Sequence, residues 1–231
     1  MPLRIVLVEP REAGNVGAVA RAMKNFGFSE LWIVGEHPPL QPVSGWWASG
    51  ADDLLEGARF VPTLAEALAD AQVTVATTSM RARTTPVSFT PRTLAARFSE
   101  LAARQTLALV FGRENSGLTR EELALCHHTA AVAANDHFPT MNLAQAVCVF
   151  CYEISSIEPA PADRELPDAA TIERIHERAR ALLLEAGFLH QDNPDRIYDD
   201  IRAIIARSGL DAREATIALG ILRQLEWRLR R

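Results

Sequence analysis

Six short apolar runs, separated by amphipathic stretches, fill the first two-thirds of this sequence, at residues 5–8, 31–34, 59–61, 73–77, 107–111 and 129–133. Each is rich in β-branched or aliphatic residues and bounded by turn formers, the pattern of strands buried on both faces. The stretches between them carry helix signals. Thr63 followed by Glu66 and Thr119 followed by Glu122 are capping boxes, Thr90-Pro91 sets proline at a first helical position, and Gly27 suits a helix end. Strands that alternate with helices are connected most simply by crossovers, so residues 1–156 are expected to form an α/β domain with a mostly parallel sheet flanked by helices.

The alternation then stops. Residues 157–169 carry Pro159, Pro161 and Pro167 among charged residues and read as a linker. Residues 170–231 contain three helical patterns, at 172–186, 194–207 and 211–230, and are expected to form a small helical extension. Its last helix opens on another box, Asp211 with Glu214, and ends in Arg223, Arg228, Arg230 and Arg231.

With 24 basic and 29 acidic residues, a net charge of −5 and a pI near 5.7, the chain is no uniformly basic nucleic-acid binder. A local basic cleft remains open to it, because steering depends on where charges sit. Cys126, Cys148 and Cys151 are too few for a disulfide framework and suggest a reducing compartment. Cys148 and Cys151 have redox spacing but lie in an apolar helical pattern, and Cys126-His127-His128 lacks a second ligand pair, so no metal is expected. The short apolar start, residues 3–8, does not resemble a signal peptide, and no apolar stretch approaches the ~20 residues of a membrane span. A cytoplasmic protein is expected.

In a parallel sheet, function gathers on loops at the carboxyl ends of strands. Three such loops stand out. The first, Glu9 to Gly17, carries Asn15 and two glycines that would let backbone approach a ligand; a tight strand-to-helix turn is the plainer reading. The spacing lacks the third glycine and later acid of a dinucleotide fingerprint. The second loop is Gly112-Arg113-Glu114-Asn115-Ser116-Gly117-Leu118. The third ends at Asn142, where a helix N-cap belongs. Arg11, Arg21, Lys24, Arg81, Arg83 and Arg113 lie in or beside these loops and are candidates for phosphate contacts. Trp46-Trp47 could stack on a base, although a buried or interface pair is the simpler expectation.

Taken together, the loops resemble the three motifs of the SPOUT superfamily of RNA methyltransferases, in its TrmH/TrmJ branch of ribose 2′-O-methyltransferases. The matching runs are Gly14-Asn15-Val16-Gly17 with Ala20-Arg21-Ala22-Met23 and Phe26-Gly27, then Val110-Phe111-Gly112-Arg113-Glu114 with Gly117-Leu118, then Met141-Asn142-Leu143-Ala144-Gln145-Ala146-Val147. Thr78-Ser79 followed by Arg81 and Arg83 fits the TrmJ type, while Pro139-Thr140-Met141 departs from its Ser-Ser-Leu-like run.

The resemblance implies a trefoil knot formed by the last strands and helix, a bound S-adenosylmethionine (SAM), a homodimer and a tRNA substrate, with nucleotide 32 of the anticodon loop as target. By position it assigns the cofactor to Thr78, Ser79, Met80, Gly112, Val132, Pro139, Thr140, Met141, Asn142 and Leu143. It nominates Arg21, Asn15 and Glu114 as catalytic. A guanidinium stays protonated in proteins, so the chemistry favours an electrostatic role for Arg21 over that of a base. The alternatives are methylation of another tRNA or ribosomal RNA site, a non-catalytic RNA- or SAM-binding dimer, and a nucleotide-dependent oxidoreductase. The last lacks its fingerprint.

Overall fold

The computed structural model describes residues 2–40, 43–79, 86–98, 105–135, 137–156, 165–190 and 194–229. The chain divides into two compact units, Met1–Asp163 and Arg164–Arg231.

In the first unit the apolar runs become β1 (Leu3–Val8), β2 (Glu30–Val34), β3 (Arg59–Val61), β4 (Val73–Thr77), β5 (Leu107–Phe111) and β6 (His128–Ala130). They form one sheet in the order β3-β2-β1-β5-β4-β6, with every pairing parallel. β1 and β5 are buried along their whole length because they are central, with Ile5 opposite both Leu31 and Leu109. Arg4, a charge inside β1, is accommodated by Asp70 at 2.6 Å, Glu30 at 2.7 Å and the face of Trp32. β6 is shorter than the expected 129–133. Ser88 and Phe89 donate backbone hydrogen bonds to the Thr129 carbonyl, and Ala131 donates to that of Phe89, so the outer side of β6 is taken by this segment.

Among the described residues of this unit the helices are α1 (Ala13–Asn25), α2 (Val43–Ala48), α3 (Asp52–Glu56), α4 (Leu64–Leu68), α5 (Pro91–Phe98) and α6 (Arg120–Ala124) between the strands, and α7 (Leu143–Ser155) after the last of them. Alternate strand residues divide the core between the two faces of the sheet. Val6, Val8, Trp32 and Val110 cluster with Leu64 and Leu68 of α4. Phe111 meets Phe150 of α7 edge-on, ring centres 5.8 Å apart, which puts α7 on the opposite face. α1 packs against both α2 and α7. The expected caps at Thr63, Thr119 and Asn142 all form.

The second unit comprises α8 (Ala169–Glu185), α9 (Pro194–Ser208) and α10 (Ala212–Leu229). α8 begins three residues before the expected 172, because the Asp168 side chain accepts from the Thr171 N–H and caps it. Arg202 of α9 forms a forked pair with Glu173 of α8, at 2.6 and 2.9 Å. The buried His176 faces the Tyr198 hydroxyl beside it. Asp211 and Glu214 cap α10 reciprocally.

Candidate active site

Because all six strands are parallel, the loops after β1, β4, β5 and β6 leave the same edge of the sheet. β1 and β5 are the neighbours between which the strand order reverses, the place where open α/β sheets bind ligands. Here Glu114, after β5, crosses to the loop after β1. Its carboxylate accepts from the backbone N–H groups of Arg11 (3.0 Å) and Glu12 (3.2 Å) and from Asn15 Nδ2 (3.0 Å). Asn15 Oδ1 in turn accepts from Asn142 Nδ2 at 3.0 Å. Asn142 Oδ1 accepts from the N–H groups of Ala144 and Gln145 and so caps α7. One chain of side chains therefore ties all three loops together. Partial burial pushes the Glu114 carboxyl up, but the bonds from Asn15 and the backbone outweigh it and hold the group below the usual glutamate range.

A second brace lies beside the first. Arg113 Nε donates to Glu9 Oε2 at 2.9 Å, and its two terminal nitrogens donate to Glu122 at 3.0 Å each. Nη1 also reaches the Gly117 carbonyl, and Nη2 stands 2.8 Å from Glu9 Oε1. Every donor direction of the guanidinium is used, and the side chain is only 12% exposed. This corrects the expectation that Arg113 contacts RNA phosphate: it is turned inward and positions the loop. The bond from Arg113 holds the Glu9 carboxyl below its ordinary range despite the opposing desolvation. Glu9 also adopts a left-handed backbone, φ 44°, which is uncommon outside glycine. Sequence reasoning missed Glu9 and saw Glu122 only as a cap. The signal available for Glu9 was an acid ending a fully apolar strand.

The glycines correct a further expectation. A Cβ on Gly17 would stand 2.0 Å from the Ser44 carbonyl oxygen, and one on Gly14 would stand 3.1 Å from the Trp47 indole. These glycines bring α2 close to α1; no ligand is needed to explain them. A Cβ on Gly112 would lie 2.3 Å from the Gly117 carbonyl carbon, so Gly112 allows its loop to fold back as the tight turn that Arg113 and Gly117 close.

Among the expected cofactor residues, Thr78, Ser79, Val132, Pro139 and Met141 are half-buried, Leu143 is buried, and Thr140 and Asn142 are exposed. The Thr78 N–H is fixed by the Ala130 carbonyl, which aligns the ends of β4 and β6. Met80, Arg81 and Arg83 lie outside the described residues. Arg11 and Arg21 are exposed, and among the described residues no hydrogen bond or ion pair engages either side chain. Lys24, expected to meet RNA, instead donates to Asp53 at 2.7 Å and to the Gly50 carbonyl at 2.9 Å, so it fastens α3 to α1. Trp46 and Trp47 are exposed and not buried within the chain, which leaves the stacking and interface readings for this pair. Cys151 is buried in α7, which pushes its thiol up to about 12 and leaves it unreactive.

Residues 2–152 match the SpoU rRNA Methylase family. The chain belongs to that family. SpoU methylase relatives extend the likeness beyond the matched region. The tRNA (cytidine/uridine-2′-O-)-methyltransferase TrmJ of Cronobacter sakazakii is 37% identical, covering 97% of this chain and 96% of that protein. The crystal structure of TrmJ from Z. mobilis ZM4 superposes with a TM-score of 0.82 at 31% identity, over 98% of this chain and 99% of that one. The SpoU methyltransferase AviRb from Streptomyces viridochromogenes, crystallised with the cofactor AdoMet, shares the fold at 21% identity and a TM-score of 0.53, over 67% of this chain and 60% of that one.

Proposed function

We propose that this chain is a SAM-dependent tRNA 2′-O-methyltransferase that works as a homodimer, with nucleotide 32 of the anticodon loop as its target. The observation that carries this reading is the junction of Asn142, Asn15 and Glu114, in which the three family loops are joined by direct hydrogen bonds at the start of α1, the helix that also carries the exposed Arg21. The likeness to TrmJ over 97% of the chain, helical extension included, supports tRNA over ribosomal RNA.

The residues assigned to SAM suit an adenosine. Val132, Met141 and Leu143 offer apolar walls. Among the described residues no backbone hydrogen bond takes up Val132, Ala133 or Ala134, which leaves amide groups to meet the polar edge of a base. Thr78, Ser79, Gly112, Pro139, Thr140 and Asn142 are all uncharged and would meet such a ligand through neutral groups. When bound, SAM supplies an electrophilic methyl group on a sulfonium.

The protein's own work is to place a ribose hydroxyl in line with that methyl group and to assist its oxygen. Glu114 is no candidate base, because both its oxygens already accept hydrogen bonds from the first loop. It holds that loop against the second. Asn15 is locked between Glu114 and Asn142 and fixes the start of α1. Arg21, two turns further along α1, is free to orient the neighbouring phosphate and to stabilise negative charge developing on the 2′-oxygen. Arg11 is the second cation available to phosphate.

The test is to incubate the protein with labelled SAM and total tRNA and to map the product. A 2′-O-methyl group at one anticodon-loop nucleotide is expected. Label at another tRNA position or in ribosomal RNA would move the target, and no label in any RNA would overturn the enzymatic reading.

A further inference from the structure

α2 is short, and two close contacts set its direction against α1. Gly17 of α1 abuts Ser44, whereas Gly14, earlier in α1, abuts Trp47, later in α2. The two helices therefore run in opposite directions where they touch. α1 starts at the carboxyl edge of the sheet, so the end of α2 returns to that edge. It brings Trp47 against Gly14 in the first turn of α1, next to Asn15, with Trp46 one residue before it. Beyond them the chain turns through left-handed Ser49 (φ 43°) and Gly50 (φ 89°), and Lys24 grips the Gly50 carbonyl.

On this anchored helix Trp46 is 74% exposed and Trp47 60%. Two adjacent indoles in water forgo the burial that large aromatic side chains ordinarily gain. Their neighbours supply the complementary chemistry. Arg11 lies in the loop before α1. Arg21 lies on the α1 face that holds Gly14 and Gly17, about 10 Å along the helix from the Gly14–Trp47 contact, by the three-, four- and seven-residue spacing of a helix. Both cations are exposed, and among the described residues no hydrogen bond or ion pair holds either, although the charge of Arg11 helps hold the Glu9 carboxyl below its ordinary range. Open aromatic faces flanked by free guanidinium groups match an unpaired nucleotide, whose base stacks and whose phosphates pair.

We propose that Trp46 and Trp47 form a stacking platform for an unpaired base of the RNA loop, with Arg11 and Arg21 on the flanking phosphates. This rests on the RNA methyltransferase reading above. A nucleotide that turns its ribose toward the protein loses its stacking neighbours, and the indoles replace them. Stacking accepts any base with a π face, so the platform holds either pyrimidine without discriminating between them.

The test compares Trp46→Ala, Trp47→Ala and the corresponding phenylalanine variants of the full chain. Each alanine variant is expected to raise KM for tRNA, or lower kcat/KM, by roughly fivefold or more. The rise in Tm on adding SAM should match wild type, and phenylalanine should restore most of the loss. Wild-type kinetics in the Trp46→Ala/Trp47→Ala double variant would overturn the proposal. So would loss of activity accompanied by a change from dimer to monomer in light scattering, which would assign the face to a second copy of the chain. If wild type methylates no RNA, the enzymatic reading falls, and tryptophan fluorescence then decides the platform separately. An anticodon stem-loop RNA should quench wild type more than the Trp46→Phe/Trp47→Phe variant, since Trp32 and Trp227 are common to both. Equal quenching would overturn it.

Discussion

Arg21 and Glu114 belong to the same family motifs, but the structure gives them opposite circumstances. Arg21 has no bonded neighbour among the described residues, and its guanidinium is available to substrate. Arg21→Ala should leave the SAM-induced rise in Tm unchanged and lower methyl transfer by about a hundredfold or more, the scale of losing one donor to a developing oxyanion. Glu114 is consumed by structure. Its folded pKa lies below that of the unfolded chain, so the stability it contributes is complete above about pH 4.3 and is lost as the pH falls through the lower folded value. Glu114→Gln is therefore expected to have a lower Tm than wild type at pH 7 and a shallower fall in Tm between pH 5 and pH 3. Thermal melts across that range check it; parallel curves would remove Glu114 as a brace.

Asn142 shows why a local and a functional role need not compete at the level of an element. One amide atom caps α7 while the other joins Asn15. Asn142→Asp keeps the capping oxygen and loses the donor. Its unfolding free energy in urea should stay within the range of an ordinary surface change, about 0.5 kcal/mol, while turnover falls. Equal losses in both would reduce Asn142 to a cap. Gly17→Ala probes the α1–α2 contact. A methyl group 2.0 Å from the Ser44 oxygen forces the helices apart, and a loss of roughly 1–3 kcal/mol in denaturant unfolding is expected.

The strands were legible because burial on both faces leaves an apolar signature, and the caps because they are local. α2 and α3 were not, since elements of six and five residues cannot display a period. The misread cations are Arg113, whose carboxylates are Glu9, 104 residues away, and Glu122, nine residues on across a tight turn, and Lys24, whose carboxylate is Asp53, 29 residues away. No spacing rule could pair them. Asn15, Glu114 and Asn142 were each visible as motif residues, but the bonds between them exist only once β1 and β5 are neighbours.

For the whole molecule, the net charge of −5 and the few free cations at the site predict RNA binding of modest salt dependence. Filter binding of tRNA from 50 to 200 mM salt should show the slope of log K against log salt shrink by about 0.7–0.9 in Arg11→Ala and again in Arg21→Ala. Lys24→Ala should change it little, because Lys24 is occupied by Asp53. The reverse pattern would exchange their roles.

The segment over β6 has a consequence for how copies of this chain can meet. With Ser88 and Phe89 bonded along one margin of the sheet, and only the three residues of β3 on the other, an incoming strand finds scarcely any ladder to extend. Edge-to-edge aggregation is thereby suppressed from both sides. Ordered self-association must then be written in side chains on helical faces, where single substitutions can retune it without disturbing the sheet.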